Sequence, residues 1–273
     1  MKAAICLQPY IPMRESASES AEMINQLIFG DTFRIVDEQP RWFRIIRDCD
    51  DYEGWIDWKT ATLLNDHDYQ SFVRNTKDAL LLRQPFNLIT RNRNGLSSTM
   101  HLSWGSRIFN LDDMGVSFNM LGMRYEVPNM TYVNPVSAAA MSRTACAKYL
   151  LQQASLLVNV PYLWGGCTAF GVDCSGFTQT LFRFVNVPLP RNASQQAQLG
   201  EPVTYEDRAC GDLAFFNRGE GDGRITHVGL CDDRGNILHC SASVHFDEFR
   251  PEGIWSNERN ELTHTLVCIK RYF

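Results

Sequence analysis

Residues 161–191 read PYLWGGCTAFGVDCSGFTQTLFRFVNVPLPR. The stretch divides into a glycine-rich loop and a segment with helical spacing. Phe177, Leu181 and Phe184 fall at i, i+4 and i+7, one apolar face of a helix, and Pro188 and Pro190 end it. Asp173 is a favoured N-cap type, which puts Cys174 in the first helical turn. There the positive end of the helix dipole and the unpaired N–H groups favour a thiolate. The same N–H groups can receive the oxyanion formed when the sulfur attacks a carbonyl. The plainer alternative is a packing cysteine at a helix start, so the nucleophile needs a base within reach.

Residues 224–242, RITHVGLCDDRGNILHCSA, supply candidates. Ile225, His227 and Gly229 alternate with Thr226, Val228 and Leu230, the turn DDRGN follows, and Ile237, Leu238 and His239 return. A hairpin of this length sets His227 opposite His239 or its diagonal neighbour, with both imidazoles on one face. One ring can serve as base while the other orients it, the logic of a nucleophile, a base and an orienting group. A metal site from the pair is the competitor, disfavoured because no carboxylate or third ligand sits at suitable spacing. His67, His101, His245 and His264 read as surface or loop residues.

The chain has 273 residues, 44% hydrophobic and 21% charged, as in ordinary soluble proteins. A net charge of −5 disfavours a nucleic-acid partner, because a surface that tracks phosphates carries basic excess. No stretch approaches the roughly 20 apolar residues of a membrane span. The apolar run near the N-terminus is interrupted by Gln8, Pro9 and Pro12 and makes a poor signal segment. A cytoplasmic protein is expected, or a periplasmic or lipid-anchored one if a leader has been removed. The nine cysteines are odd in number, scattered and without a CxxC pair, which argues for reduced, mostly buried thiols rather than a disulfide framework or structural zinc.

Three segments are expected. Residues 1–65 alternate around Phe33, Ile35, Phe43, Ile45, Trp55 and Ile56 with DEQPR and DCDDYEG as turns, a small barrel. Residues 66–135 read as a second all-β piece, within which GVSFNMLGMRYEVPNM (115–130) is hard to assign. From residue 136 the style changes. VSAAAMSRTACAKYLLQQASLLVN (136–159) lacks Pro and Gly and spaces Met141, Ala145, Leu150, Ala154 and Leu157 helically. A helix, a loop, a second helix and several strands make 136–273 an α+β domain.

YLWGG, DCSGF, GDLAFF, THVGL and ILHCSA, in that order, resemble the NlpC/P60 cysteine peptidases of bacterial cell-wall turnover. The resemblance covers about 130 residues and implies a papain-like domain. It makes Cys174 the nucleophile, His227 the base, His239 the orienting group and Tyr162 the tyrosine near the oxyanion. It also implies that Asp173 and Ser175 bind substrate, while Trp164 and Phe170 are candidate groove walls. The N-terminal part is similar to tandem bacterial SH3-like (SH3b) domains, residues 13–45 with YEGWI matching the first unit best, which implies two small all-β SH3-like barrels, 1–65 and 66–135, ahead of the papain-like domain. The combined architecture resembles γ-D-glutamyl-L-diamino acid endopeptidases, which need no cofactor or metal and take small peptides beginning with a free L-Ala. That implies an acidic group for the ammonium, for which Glu22 and Tyr52 are candidates, with Glu15 and Glu19 competing. Where such relatives often read RDS, this chain has Arg191, Asn192 and Ala193, so the contact of Asn192 with the diamino acid departs from the pattern. An amidase or acyltransferase with the same Cys-His-His site, or a non-catalytic wall-peptide binder, are the alternatives. The oligomeric state has no sequence signal.

Overall fold

The computed structural model describes residues 2–127, 131–218 and 223–273. The chain forms two compact units, Met1–Pro135 with Cys167–Ala169, and Val136–Gly166 with Phe170–Phe273.

The first unit begins with a seven-stranded antiparallel sheet. Its order is Met23–Ile28, Tyr10–Arg14, Glu53–Asp57, Trp42–Arg47, Thr32–Gln39, Lys2–Ile5 and Thr62–Leu64. The alternation read from the sequence buries Phe33, Ile35, Ile45 and Ile56 together with Ile11 and Leu27. Trp55 points the other way and is half-buried, as the period of two requires. Arg47 is fully buried and is held by both oxygens of Asp50 and by the Gln26 carbonyl at 3.1 Å. Within the same unit, the Cys167 N–H donates to Gln26 Oε1 at 2.8 Å and the Ala169 N–H to Ser103 Oγ at 2.8 Å.

The rest of this unit is not all-β as expected. Asp66–Asn75 is an α-helix, capped by Asn65 Oδ1 accepting from Asp68 N–H, with Asp66 and Asp68 in the first turn. It buries only Phe72, so no apolar period marked it, and its signal lay in the cap and the acidic start. Two further sheets follow. One has four strands ordered Leu96–Ser103, Phe86–Arg93, Met123–Glu126, Ser117–Met120; the other pairs Arg107–Ile108, Leu80–Leu82 and Tyr132–Val133. The unassigned stretch 115–130 thus contains a hairpin, turned by Leu121 and Gly122 at φ 50° and 73°; residues 128–130 lie outside the described part.

The second unit is α+β, with the helices first. Arg143–Ser155 starts later and ends earlier than the composition suggested, and it buries Cys146, Ala147, Leu150, Gln153 and Ala154 while Ala145 is exposed. The helix Cys174–Phe182 is buried all round, not on one face, because it is sandwiched between that helix and a sheet. The sheet runs Leu213–Asn217, His227–Cys231, Asn236–Ser241, Ser243–Arg250, Gly253–Ser256 and Glu261–Arg271, and the last strand pairs with the first. It is therefore a closed six-stranded antiparallel barrel. Among the described residues no helix is long and apolar enough to cross a membrane.

Closure depends on Gly253. Its φ of +146° lies where side chains are strained, and a Cβ there would sit 1.8 Å from the His264 carbonyl oxygen. Gly253→Ala is expected to cost ~3 kcal/mol or more, read as a lower midpoint in urea unfolding.

Candidate active site

The site lies in the second unit and starts from the cap of the helix Cys174–Phe182. Asp173 is the N-cap, its Oδ1 accepting from the Gly176 N–H at 2.7 Å. Its other oxygen accepts from the Gly165 N–H at 2.9 Å, which ties the glycine loop to the helix start. Arg191 grips both carboxylate oxygens and donates to Ser175 Oγ at 2.9 Å. This buried pair fixes the angle at which Cys174 is presented. Gln196 braces the helix below, donating to the Ser175 carbonyl at 3.1 Å and accepting from Thr178 Oγ1 at 2.9 Å.

Cys174 is 7% exposed, open enough to be reached and closed enough to be desolvated. Burial, with a contribution from Asp173, pushes its thiol up to about 12, against donation from the Val228 and Ser175 N–H groups and the charge of Arg191. Tyr162 lies close enough to Cys174 to feel its charge; burial, then Cys174 and Asp173, raise the phenol. Its N–H donates to the Ala242 carbonyl at 2.8 Å, and its backbone bridges to Val172, two residues before Cys174.

The helix packs on the strand His227–Cys231, which carries the first imidazole. Gly229 pairs with His239, so His227 meets His239 diagonally, His227 Nε2 to His239 Nδ1 at 2.9 Å. His239 Nε2 lies 3.3 Å from Asp247 Oδ2. These contacts fix the protons. A carboxylate only accepts, so His239 Nε2 carries hydrogen and Nδ1 is the acceptor. His227 then donates from Nε2, which leaves the Nδ1 lone pair as its base. Burial, then His239 and His264, hold His227 well below the usual histidine range, which favours the neutral ring. Burial likewise lowers His239, against the bond to Asp247.

Two histidines read as surface or loop residues, and one aspartate, belong to this cluster. His264 is buried, and its ring stacks on His227 at 4.3 Å between centroids. Burial first, then His239, lowers it to about 4, so the stacked ring adds no charge to the base. His245 sits in the strand Ser243–Arg250, its Nε2 3.2 Å from Asp247 Oδ2. Asp247 also corrects the expectation that no carboxylate or third ligand was suitably placed. Burial raises its carboxyl, but the bonds to His239 and His245 outweigh this and bring it well below the ordinary range. His67, by contrast, is exposed on the helix Asp66–Asn75, and His101 is exposed on the strand Leu96–Ser103.

Residues 159–261 match the NlpC/P60 family and residues 10–62 a bacterial SH3 domain. The second unit carries an NlpC/P60 domain, the fold of a cysteine peptidase family. Two curated proteins named γ-D-glutamyl-L-lysine dipeptidyl-peptidase are similar to the chain. The one from Bacillus cereus is 25% identical over 224 residues, 78% of this chain and 66% of that protein. The one from Bacillus subtilis is 29% identical over 226 residues, 78% of this chain and 71% of that protein. The chain thus spans about two thirds of their length. A solved NlpC/P60 family protein from Bacillus cereus shares the fold with a TM-score of 0.82 at 21% identity, covering 100% of this chain and 99% of that one.

The other candidates fall in different places. Ser175 and Asp173 are in the NlpC/P60 domain but buried, both engaged by Arg191. Trp164 is 59% exposed and Phe170 38% exposed, on the loop before Cys174. Asn192 is the exposed N-cap of the short helix Ala193–Gln196, its N–H donating to Gln195 Oε1 at 3.3 Å. Glu22 and Tyr52 belong to the other unit, where Glu22 is exposed and Tyr52 is half-buried against the first barrel's core. Arg191 and Gln196 were missed as supports of the helix start. A buried arginine three residues past the helix-ending Pro188 was the only hint.

Proposed function

We propose that the NlpC/P60 domain hydrolyses the amide joining γ-D-glutamate to a diamino acid in cell-wall peptides, with Cys174 as nucleophile. The observation that carries this is the directed chain Asp247–His239–His227, which leaves one ring nitrogen of His227 free as a base, on a strand that packs against the helix begun by Cys174. The names of the two similar proteins supply the bond. Residues 1–65 and 66–135 are two SH3-like modules ahead of a catalytic domain at 136–273.

The thiol gives its proton to His227 Nδ1 as the sulfur attacks the γ-carbonyl of D-glutamate, and N–H groups at the helix start with Tyr162 receive the oxyanion. The C–N bond breaks as His227 returns the proton to the leaving amine. Water, deprotonated by the same nitrogen, then opens the thioester and regenerates the thiol. Asp173 and Ser175 hold the floor against which the glutamyl carboxylate lies, with Asn192 and Trp164 toward the diamino acid.

The test is mass spectrometry of L-Ala-γ-D-Glu-meso-diaminopimelate and its L-Lys counterpart after incubation. Release of L-Ala-γ-D-Glu is expected from both or from one, which also ranks the diamino acids. Acetylating the peptide's amine asks whether Glu22 and Tyr52 recognise an ammonium; undiminished cleavage of the blocked peptide removes that role. No cleavage of any of these peptides overturns the proposal and favours an amidase or acyltransferase acting on another acyl group.

Asp247 acts only through His239 and is a positioning residue. Asp247→Asn can present either a donor or an acceptor to His239 and no longer dictates its tautomer. The variant is expected to lose roughly 10- to 100-fold in kcat with little change in KM, and Asp247→Glu to recover part of it. Equal losses in all variants, tracking lower thermal stability, would mean that Asp247 merely holds the barrel together.

A further inference from the structure

The strand register brings a second constellation onto the same barrel face. His239 pairs directly with His245 across the hairpin, and Asp247 lies two residues on, on the same side. One ring nitrogen each of His239 and His245 and an Asp247 oxygen all lie within 4.8 Å of one another. Two of the three separations are 3.3 Å and 3.2 Å, both to Asp247 Oδ2. A tetrahedral zinc ion with bonds of about 2.0–2.1 Å needs ligand atoms roughly 3.3–3.4 Å apart. Only the histidine–histidine edge has to close.

Ring orientation points the same way. His245 Nδ1 lies 2.8 Å from the Ser243 carbonyl oxygen, which can only accept, so Nδ1 carries hydrogen. Nε2 faces Asp247 Oδ2, which only accepts, at 3.2 Å, so this edge holds either a second proton on His245 or a metal ion that takes the Nε2 lone pair. A histidine whose other N–H is held by a backbone carbonyl is the usual arrangement of a metal ligand. The His245 side chain is 34% exposed and that of Asp247 11%, so an ion has a way in and a fourth position for water.

We propose that His239, His245 and Asp247 form a binding site for a divalent transition-metal ion, zinc foremost, and that its occupation switches the enzyme off. Two imidazoles and one carboxylate suit zinc, cobalt or nickel and not magnesium or calcium. Binding stands on the geometry alone, whereas the effect on turnover rests on the peptidase proposal. The metal takes the lone pair of His239 Nε2, whose hydrogen is relocated to Nδ1. His239 then donates to His227 Nε2, and the hydrogen of His227 is relocated to its own Nδ1. Both rings stay neutral and no proton is lost from the pair. The nitrogen that should receive the thiol proton now carries one.

The experiment separates binding from turnover. Zinc binding is measured by competition with a chromophoric chelator on Cys174→Ala, so that the thiol cannot be a ligand, and cobalt absorption in the same variant reports coordination geometry. One ion per chain with a tetrahedral cobalt spectrum is expected. Adding His245→Ala, or His245→Gln should the first fail to fold, is expected to weaken binding at least ~30-fold. In the protein with Cys174 intact, zinc should inhibit turnover at the concentration at which Cys174→Ala binds it, with reversal by a chelator, and His245→Gln should need at least ~10-fold more zinc relative to its own zinc-free rate. No binding to Cys174→Ala, or undiminished binding after the His245 substitutions, overturns the site. Binding without inhibition keeps the site and overturns the switch. If no substrate is cleaved at all, the peptidase proposal fails while the binding result stands.

Discussion

Cys174→Ala is expected to fold like the parent and to lose ~10⁴-fold or more of its peptidase activity. The side chain is small, and the helix start it occupies is held by others. Asp173 caps the Gly176 N–H, Arg191 clamps Asp173, and Gln196 braces Ser175. None of those bonds involves the sulfur. What disappears is the sulfur at the start of the helix that packs on the strand carrying His227. Unfolding midpoint and product release measured side by side separate the outcomes. A variant that retains turnover would remove Cys174 as nucleophile, whereas one that loses both would show that the thiol packs rather than reacts.

Arg191→Met is expected to cost about 3–5 kcal/mol of stability, because it leaves the Asp173 carboxylate buried without its cation. Arg191 is 2% exposed and Asp173 5% exposed, so water cannot replace the lost bonds. Asp173 keeps only the Gly176 and Gly165 N–H groups and the Ser175 hydroxyl. The double variant Arg191→Met with Asp173→Asn should recover much of the loss, since the stranded charge goes with its partner. Urea unfolding of the three proteins checks this. Additive losses would mean that the two side chains are not coupled.

The sequence made the helix start at Cys174 legible because helix entry has a local grammar, an N-cap followed by apolar spacing. The diagonal pairing of His227 with His239 was legible too, since the turn DDRGN sets the hairpin length. The next hairpin was not. It turns at Ala242, whose φ is 66°, in CSASV, where no glycine, proline or asparagine announces a reversal. What stabilises that turn is supplied from far away, the Tyr162 N–H on the Ala242 carbonyl and the Asn159 N–H on the Val244 carbonyl. His245 and Asp247 therefore read as residues beyond the hairpin. His264 was hidden differently. It reaches His227 only because the strand Glu261–Arg271 closes the barrel, a contact between positions 37 residues apart that no local pattern encodes.

That closure has a further consequence, for association. A sheet that ends in open air offers its last strand's N–H and C=O groups to any other extended chain. Here the strand Glu261–Arg271 meets Gly253–Ser256 on one side and Leu213–Asn217 on the other, and the strand Glu201–Val203, which pairs with residues 269–271, is only three residues long with Pro202 at its centre. The ring thus offers little ladder for another chain to extend. When the ring opens at Gly253, two unpaired edges appear at once, and the first sign of failure is self-association of the protein.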